Sequence, residues 1–345
     1  MRRPIGILAD DLTGANDTGV QFARCGWQTT VYLEGLAQDN YSDVIVINTS
    51  SRNLDRKKAY DKVFKTAVSL NSAGAEWVYK KIDSVMSGNV GAELDAVMHA
   101  YKCNTSFITP AFPKMGRTVQ NGILYVDEMP LTSTDLSDDI LSPVKKARVS
   151  EIIQQQCKRH ITEIHYSDIN NGEKYLIDLF EEKIKDGFEI IVLDAQNNLH
   201  LETIKNAFKS LEYPYILSGS GGLASVLSIP FKTQVIPKVD LSNGLLFVCG
   251  TKNRMAKKQI EYIVQKDDTV LYEISINNLL NEQWNIQYLV NALKRSKTVA
   301  VTLKDEEVQG DIKLIGKQVQ TKLSEYIGRV IEKHKPGVLI LTGGD

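Results

Sequence analysis

Short apolar runs alternate along this chain with longer segments whose apolar residues recur at helical spacing. Runs such as 5–9, 44–47 and 190–193 predict buried strands, and the segments between them predict helices that connect one strand to the next. Strands that alternate with helices are typical of a parallel sheet covered by helices on both faces. The pattern therefore predicts an α/β fold.

The length of 345 residues is enough for about two domains, each with its own core. The best candidate for a linker is 229–243, which contains Pro230 and Pro237 and shows no periodicity. We expect an N-terminal domain over 1–228 and a C-terminal domain over 244–345. Each should be a mainly parallel sheet flanked by helices.

Composition is ordinary for a soluble globular protein, with 43% apolar and 24% charged residues. Lys and Arg number 41 against 42 Asp and Glu, so the net charge indicates neither a nucleic-acid partner nor an anionic membrane. The four cysteines have no metal-ligand spacing, and no apolar run approaches membrane-spanning length. We expect a cytoplasmic protein, while the sequence leaves a homo-oligomer open.

The first apolar run ends abruptly in Asp10 and Asp11. Residues that follow a parallel strand line the crevice where open α/β sheets bind ligands, so the two carboxylates are candidate site residues. Thr13 is the expected N-cap of the next helix and Gly26 its expected stop. A turn with capping carboxylates and no function is the alternative.

Polar side chains also follow the strand at 44–47, where Asn48-Thr49-Ser50-Ser51-Arg52 begins. Hydroxyls and an arginine suit a polyol acid, because a guanidinium can hold a carboxylate with two parallel hydrogen bonds. Ser51 and Arg52 are therefore candidates for substrate binding. A capping loop with a solvated arginine is the alternative.

The densest polar cluster follows the strand predicted at 77–79 and spans 80–93. It contains the candidates Lys81, Asp83, Ser84, Gly88 and Asn89. Backbone N–H groups at the start of the following helix, with a lysine beside them, can hold an anion.

Two further turns follow later strands. Segment 110–119 has two prolines and a glycine that deliver Arg117 beyond an irregular loop, while the nearby Tyr125 segment is expected to be a hairpin arm. The glycine-rich turn at 218–222 opens a helix, but it lacks both the P-loop lysine and the Rossmann glycine spacing. No Gly-x-Gly-x-x-Gly follows the first strand either, which disfavours a nicotinamide dehydrogenase.

Taken in their order along the chain, these polar segments resemble the motifs of the four-carbon acid sugar kinase family. The resemblance lies in Ala9-Asp10-Asp11-Leu12-Thr13-Gly14-Ala15, in the Asn-Thr-x-Ser-Arg type segment at 48–52, and in Pro110-Ala111-Phe112-Pro113 with Gly116-Arg117-Thr118. Segment 81–89 resembles Lys-x-Asp-Ser-Thr-Leu-Arg-Gly-Asn, with Val85, Met86 and Ser87 departing from it. A Gly-Ser-x-Gly-Leu-Ala type segment begins at Gly219.

The resemblance implies an ATP-dependent kinase that phosphorylates a hydroxyl of a four-carbon acid sugar such as threonate, erythronate or 3-oxo-tetronate. The acid would bind to the N-terminal domain. The general base would be Asp83, Asp10 or Asp11, and the sequence does not rank these three. ATP with Mg²⁺ would bind to the C-terminal domain at Gly250-Thr251 and at Gly343-Gly344-Asp345. The metal ligands are not indicated.

The run 338–341 predicts a fully buried strand, and the sequence stops at the turn that follows it. We expect the chain to be shorter than the family pattern at this end. A binding protein that holds a sugar acid or nucleotide without turnover is therefore the alternative to a kinase.

Overall fold

The computed structural model describes residues 3–36, 42–134, 145–228, 240–251, 254–266, 269–295, 298–306 and 310–343. The chain forms two compact units, 1–235 and 236–345. Both have a parallel sheet with helices, so the predicted α/β class is confirmed. Most of the predicted linker, 229–239, lies outside the described residues.

Unit 1 is built from β-strands that alternate with helices. Its strands are β1 (Ile5–Ala9), β2 (Thr29–Tyr32), β3 (Val44–Asn48), β4 (Trp77–Lys81), β5 (Ser106–Thr109), β6 (Arg117–Gln120), β7 (Ile123–Val126), β8 (Met129–Pro130), β9 (Ile161–Ile164), β10 (Ile190–Leu193) and β11 (Ile216–Gly219). Its helices are α1 (Leu12–Arg24), α2 (Arg56–Ser72), α3 (Val90–Ala100), α4 (Val149–Gln154), α5 (Tyr166–Ile169), α6 (Glu173–Lys185), α7 (Asn198–Lys209) and α8 (Gly221–Leu227).

The main sheet of unit 1 has the order β2-β3-β1-β4-β11-β5-β10-β9, and all neighbouring strands are parallel. Helices α2, α3 and α4 pack in one group, and α1, α5, α6, α7 and α8 pack in another. The chain leaves β1 towards β2 through α1, and it leaves β4 in the opposite direction towards β5 through α3. The strand order thus reverses between β1 and β4, where a crevice is expected outside their carboxyl ends.

The inner strands of this sheet are buried along most of their lengths, while the edge strands β2 and β9 are partly exposed. Residues 44–48 are all buried, as are 190–193, which is why these segments read as continuous apolar runs rather than as alternating patterns. Phe107 on β5 lies 4.6 Å from the ring of Phe180 and 5.0 Å from that of Phe208, so the core continues under the helices. The sheet therefore gives the loops at its carboxyl edge a rigid base.

Two predicted element ends are wrong near the candidate site. Helix α1 is capped by Asp11, not Thr13, since the Gly14 N–H donates to Asp11 Oδ1 over 2.8 Å. Strand β4 extends through Lys81, which pairs with Ala9 of β1. Pairing on both sides in the middle of the sheet overrides the low strand preference of lysine.

Other predicted features of unit 1 are confirmed. Gly26 follows Cys25, the C-cap of α1, and has φ +83°, a left-handed conformation that favours glycine. Tyr125 lies on β7, in the middle of the antiparallel sheet β6-β7-β8. This small sheet is joined to the main one by backbone pairing of Val119 with Ala195.

Unit 2 repeats the architecture on a smaller scale. Its elements are β12 (Leu245–Cys249), α9 (Arg254–Lys266), β13 (Thr269–Ile274), α10 (Ile276–Leu280), α11 (Ile286–Arg295), β14 (Thr298–Leu303), α12 (Ile312–Lys333) and β15 (Val338–Thr342). The parallel sheet has the order β13-β14-β12-β15. In neither unit do the described residues include a helix long and apolar enough to cross a membrane.

The prediction that 338–341 is a fully buried strand is wrong. Among the strands that the structure describes, β15 lies at the edge of its sheet and pairs with β12 alone. Leu339, Ile340 and Leu341 are 40%, 38% and 67% exposed. An apolar run predicts a strand, but it does not predict the position of that strand in the sheet.

Candidate functional site

The polar segments that follow β1, β3 and β4 meet at the carboxyl edge of the main sheet. In the register of these strands, Ala9 lies between Asn48 and Lys81. The residues that follow Ala9 therefore lie beside the segment after Asn48 and the loop after Lys81. This is the switch point between β1 and β4, where a ligand site is expected.

Arg52 forms ion pairs with both aspartates. Its Nε lies 2.7 Å from Asp10 Oδ2, its Nη2 lies 3.2 Å from Asp10 Oδ1, and its Nη1 lies 2.9 Å from Asp11 Oδ2. Both carboxylates are buried, and the side chain of Arg52 is 17% exposed. The alternative of a solvated arginine is therefore wrong.

The two aspartates differ electrostatically. Burial acts to raise the pKa of Asp10, but Lys80, Arg52 and Lys81 outweigh it, so this pKa lies below its ordinary value. Burial also raises the pKa of Asp11, and here the attraction of Arg52 does not outweigh it, so this pKa lies above its ordinary value. Asp10 is the more firmly ionised of the two.

Lys80 and Lys81 approach the carboxylates from opposite faces of the sheet, because successive strand residues point to opposite faces. Lys80 forms an ion pair with Glu93 of α3, 2.8 Å from Nζ to Oε2. Lys81 lies on the side of α1, where a Cβ atom added at Gly14 would be 2.8 Å from its Nζ. Sequence reasoning missed Lys80 and Glu93, although two lysines at the end of a buried strand were the signal.

The loop between β4 and α3 is tied to the segment that carries Arg52. Asn89 Nδ2 donates to the carbonyl oxygens of Ser51, Arg52 and Leu54 over 3.3, 3.3 and 2.8 Å. Gly88 has φ +89°, and a Cβ atom added there would lie 2.8 Å from Arg52 Cγ. The loop is therefore shaped around the arginine.

Asp83 belongs to the same loop and acts electrostatically on Arg52. Its Oδ2 accepts a hydrogen bond from Ser87 N over 3.3 Å, and its side chain is half-buried, as is that of Ser84. The structure thus brings Asp10, Asp11, Arg52, Lys81, Asp83, Gly88 and Asn89 together, and it adds Lys80 and Glu93.

Two predicted binding residues are placed differently. The Ser51 side chain is fully buried, and its Oγ lies 2.7 Å from Thr49 Oγ1, so the hydroxyl faces the protein. The guanidinium of Arg117 donates to Met115 O within its own loop, and the contacts of the described residues do not join it to Arg52 or Asp83. Roles for Ser51 and Arg117 in substrate binding stay predictions.

The glycine-rich turn after β11 closes against the loop that follows β5. Ser220 caps α8 and donates from Oγ to Ala111 O over 2.8 Å. A Cβ atom added at Gly222 would collide with the same carbonyl oxygen. These glycines permit a close approach of two loops, which accounts for the glycine-rich sequence without a ligand.

In unit 2, the two turns predicted to bind ATP lie side by side. Gly250 N donates to Thr342 O over 2.9 Å, and a Cβ atom added at Gly343 would lie 3.6 Å from the Gly250 carbonyl carbon. Thr251 follows Gly250 in the first turn. Bare backbone at the carboxyl ends of adjacent parallel strands fits the approach of phosphate groups. Gly344 and Asp345 lie outside the described residues.

Across the described part of the chain, no group of three or more His, Cys, Asp and Glu side chains is arranged to hold a metal ion. The residues that the structure describes thus offer no ready-made protein cage for Mg²⁺.

Comparison with known proteins gives consistent relatives. The model of the family described as a sugar-binding N-terminal domain matches residues 5–227. A D-threonate kinase from Salmonella typhimurium is 29% identical over 98% of this chain and 84% of its own length. A D-erythronate kinase from Heliobacterium modesticaldum is 29% identical over 88% of this chain and 69% of its own length. A 3-oxo-tetronate kinase from Actinobacillus succinogenes is 26% identical over 76% of this chain and 65% of its own length.

Solved structures share the fold. A Haemophilus influenzae protein superposes with a TM-score of 0.73 at 22% identity, over 99% of this chain and 86% of its own. A Bordetella bronchiseptica protein, described as a domain-swapped dimer with bound citrate, superposes with a TM-score of 0.58 at 25% identity, over 99% and 83%. The family match covers most of the chain, including every strand of the main sheet and its carboxyl-edge cluster. This chain therefore belongs to the four-carbon acid sugar kinase family.

Proposed function

We propose that this chain is an ATP-dependent kinase that phosphorylates a hydroxyl of a four-carbon acid sugar, with the acid bound at the carboxyl edge of the main sheet in unit 1. The observation that carries the proposal is the Arg52 guanidinium, held by Asp10 and Asp11 at the switch point. The names of the relatives support the reaction and the range of acids. The citrate bound to the Bordetella protein supports the assignment of a small carboxylic acid as the ligand of this fold.

Arg52 and Lys81 are the proposed ligands of the substrate carboxylate. The contacts with Asp10 and Asp11 use one N–H on each guanidinium nitrogen, so Nη1 and Nη2 each keep one N–H for a ligand. The ion pairs fix the direction in which these donors point, which lowers the entropy lost on binding. Gly88 and Asn89 hold the loop against the backbone of Arg52, so their proposed role in binding is to shape the site.

Asp83 is the proposed general base. Asp10 is a poor candidate, because both of its oxygens contact Arg52 and its pKa is lowered. Asp11 uses one oxygen to cap α1 and the other to contact Arg52. The carboxylate of Asp83 accepts a single described hydrogen bond, from Ser87 N, and Asp83 is half-buried in the loop beside Arg52. A carboxylate in this position can accept the proton of an attacking hydroxyl.

ATP is the proposed phosphoryl donor, bound at the turns of unit 2 that contain Gly250, Thr251 and Gly343, with Mg²⁺ carried by its phosphates. Phosphoryl transfer depends mainly on positioning and on neutralising charge. The chain supplies open backbone at Gly250 and Gly343, while Lys81 and Arg52 supply positive charge at the acid site.

The substrate is tested by following ADP release and binding heat while the full chain is titrated with D-threonate, D-erythronate and 3-oxo-tetronate in the presence of ATP and Mg²⁺. The proposal expects ADP release that depends on one of these acids. Binding of an acid without ADP release would favour a binding protein without turnover. Absence of both binding and release would refute the proposed function.

A further inference from the structure

A buried ion pair lies beneath the candidate site, and the proposed reaction does not use it directly. Lys80 on β4 is 0% exposed and Glu93 in the first turn of α3 is 1% exposed, with 2.8 Å between Nζ and Oε2. Lys80 Nζ also donates to Lys81 O over 2.7 Å. The pair therefore links β4, which precedes the loop that carries Asp83, to α3, which follows that loop.

Such a pair is a poor device for stability alone. Removing two charges from water costs several kcal/mol for each ion, and well-packed apolar residues of similar volume are often as stable or more so. Both neighbours of Lys80 across the sheet, Leu8 and Ser218, are uncharged, so β4 does not need a charge at this position for pairing. The location of the pair next to Asp10 points to a different role.

Several charged groups face Asp10 from the elements around it. They are Arg52 from the loop after β3, Lys80 and Lys81 from β4, Glu93 from α3 and Asp11 at the N-cap of α1, while Asp83 acts on Arg52. In the register of β1 and β4, Lys80 lies beside Leu8, and Asp10 follows Leu8 by two residues, so the side chains of Lys80 and Asp10 share a face of the sheet. The positive charges of Lys80 and Arg52 both act to lower the pKa of Asp10. Asp10 thus interacts with two cations, Arg52 in the loop after β3 and Lys80 on β4.

We propose that Lys80 is a positioning residue, which keeps Asp10 charged so that Asp10 can orient Arg52, and that Glu93 holds the Lys80 ammonium in place. The consequence for binding an acid sugar rests on the proposed function, but the effect on Asp10 does not. Lys80 does not touch the proposed substrate in this account. It acts through Asp10 and Arg52.

The test is a ¹³C NMR titration of the Asp10 carboxyl in the full chain without ligand, with the signal assigned from Asp10→Asn. In the unaltered chain, Asp10 should stay ionised to the acid end of the range in which the protein is folded. In Lys80→Met, its midpoint should rise by about one pH unit or more, because a nearby opposite charge shifts a carboxyl pKa by this order. Glu93→Gln keeps the ammonium, so Asp10 should stay ionised as in the unaltered chain.

Two further variants separate this role from a structural one. Arg159→Met removes another partly buried cation, the partner of Asp95 and Glu189, and should leave the Asp10 titration unchanged. If Lys80→Met does not fold, the double variant Lys80→Met with Glu93→Gln leaves no uncompensated charge and should still show the upward shift. An unshifted Asp10 in a folded Lys80 variant, or an equal rise in Glu93→Gln, would overturn the proposal.

A second readout connects the pair to the ligand. Where the unaltered chain binds D-threonate or D-erythronate, binding to the folded Lys80→Met variant should weaken about tenfold or more near neutral pH, and Glu93→Gln should bind more tightly than Lys80→Met. Equal affinities in all three proteins would contradict the positioning role. If the unaltered chain binds no four-carbon acid, the proposed function fails, while the Asp10 titration still decides the role of Lys80.

Discussion

Single side chains at the carboxyl edge of the sheet define the site through a few close contacts. Asp10, Arg52 and Asp83 come from three segments that the sequence already marks as polar residues after apolar runs. Their meeting was predictable because neighbouring parallel strands end at the same edge. Lys80 was not predictable as a partner of Asp10, because its effect depends on which face of β4 it occupies and on Glu93 across the α3 interface.

Gly88→Ala tests the packing of the loop on Arg52. Gly88 and Gly74 both have a left-handed backbone, with φ +89° and φ +87°, but nothing lies within 4 Å of a Cβ atom added at Gly74. Both substitutions should destabilise the fold by roughly 1 kcal/mol through backbone strain. Gly88→Ala should also displace Arg52 and weaken acid-sugar binding, measured by calorimetry, while Gly74→Ala should not. Equal affinities of the two variants would show that the contact does not matter for binding.

Arg52→Met should destabilise unit 1 at neutral pH by roughly 3 kcal/mol, because it leaves the buried carboxylates of Asp10 and Asp11 without their partner. Because the pKa of Asp10 is lowered in the folded protein, ionised Asp10 stabilises the fold at pH values above its ordinary pKa of 3.8. This stabilisation is lost as the pH falls through the lower folded-state pKa. The difference between the variant and the unaltered chain should therefore shrink below about pH 4. Denaturant midpoints at several pH values measure it, and a difference independent of pH would contradict the electrostatic account.

At the level of elements, the apolar runs were enough to predict most strands and helices, but not their ends or their places in the sheet. Lys80 and Lys81 belong to β4 because central pairing extends the strand beyond its apolar residues. Helix α10 was missed because its segment is short and polar in part. The exposed edge position of β15 is a tertiary property that an apolar run does not contain.

Asp194 joins three elements and offers a test of how they are held. Its carboxylate accepts hydrogen bonds from the backbone N–H groups of Asn121, Gly122 and Tyr166 over 2.6, 2.9 and 3.0 Å, which ties the β6-β7 turn and α5 to the end of β10. Asp194→Asn should lower the free energy of unfolding by about 1–3 kcal/mol, because an amide offers only one acceptor oxygen. Thermal unfolding measures this, with the exposed Asp178→Asn as a control that should change little. Equal unfolding temperatures for the two variants would contradict the proposed role of Asp194 in holding these elements together.

For the whole molecule, we assign the acid to unit 1 and the nucleotide to unit 2. Gly250→Ala is a mild change for the protein itself, since the nearest atom to an added Cβ is Leu323 Cδ2 at 3.5 Å. It should nevertheless weaken ATP binding about tenfold, because it obstructs the approach of phosphate groups to the backbone. Acid-sugar binding, measured by calorimetry, should remain unchanged. Weakening of both ligands by Gly250→Ala would contradict the division between the units.

The most direct test of the central claim compares Asp83→Asn with the unaltered chain in two measurements on the same samples, the calorimetric affinity for the acid sugar and the rate of acid-dependent ADP release at saturating ATP. The account predicts an affinity within a few-fold of the unaltered chain and a rate lower by about 100-fold or more, since general-base catalysis contributes on this order. An Asp83→Asn variant that releases ADP at the unaltered rate would contradict the assignment of the reaction to this site.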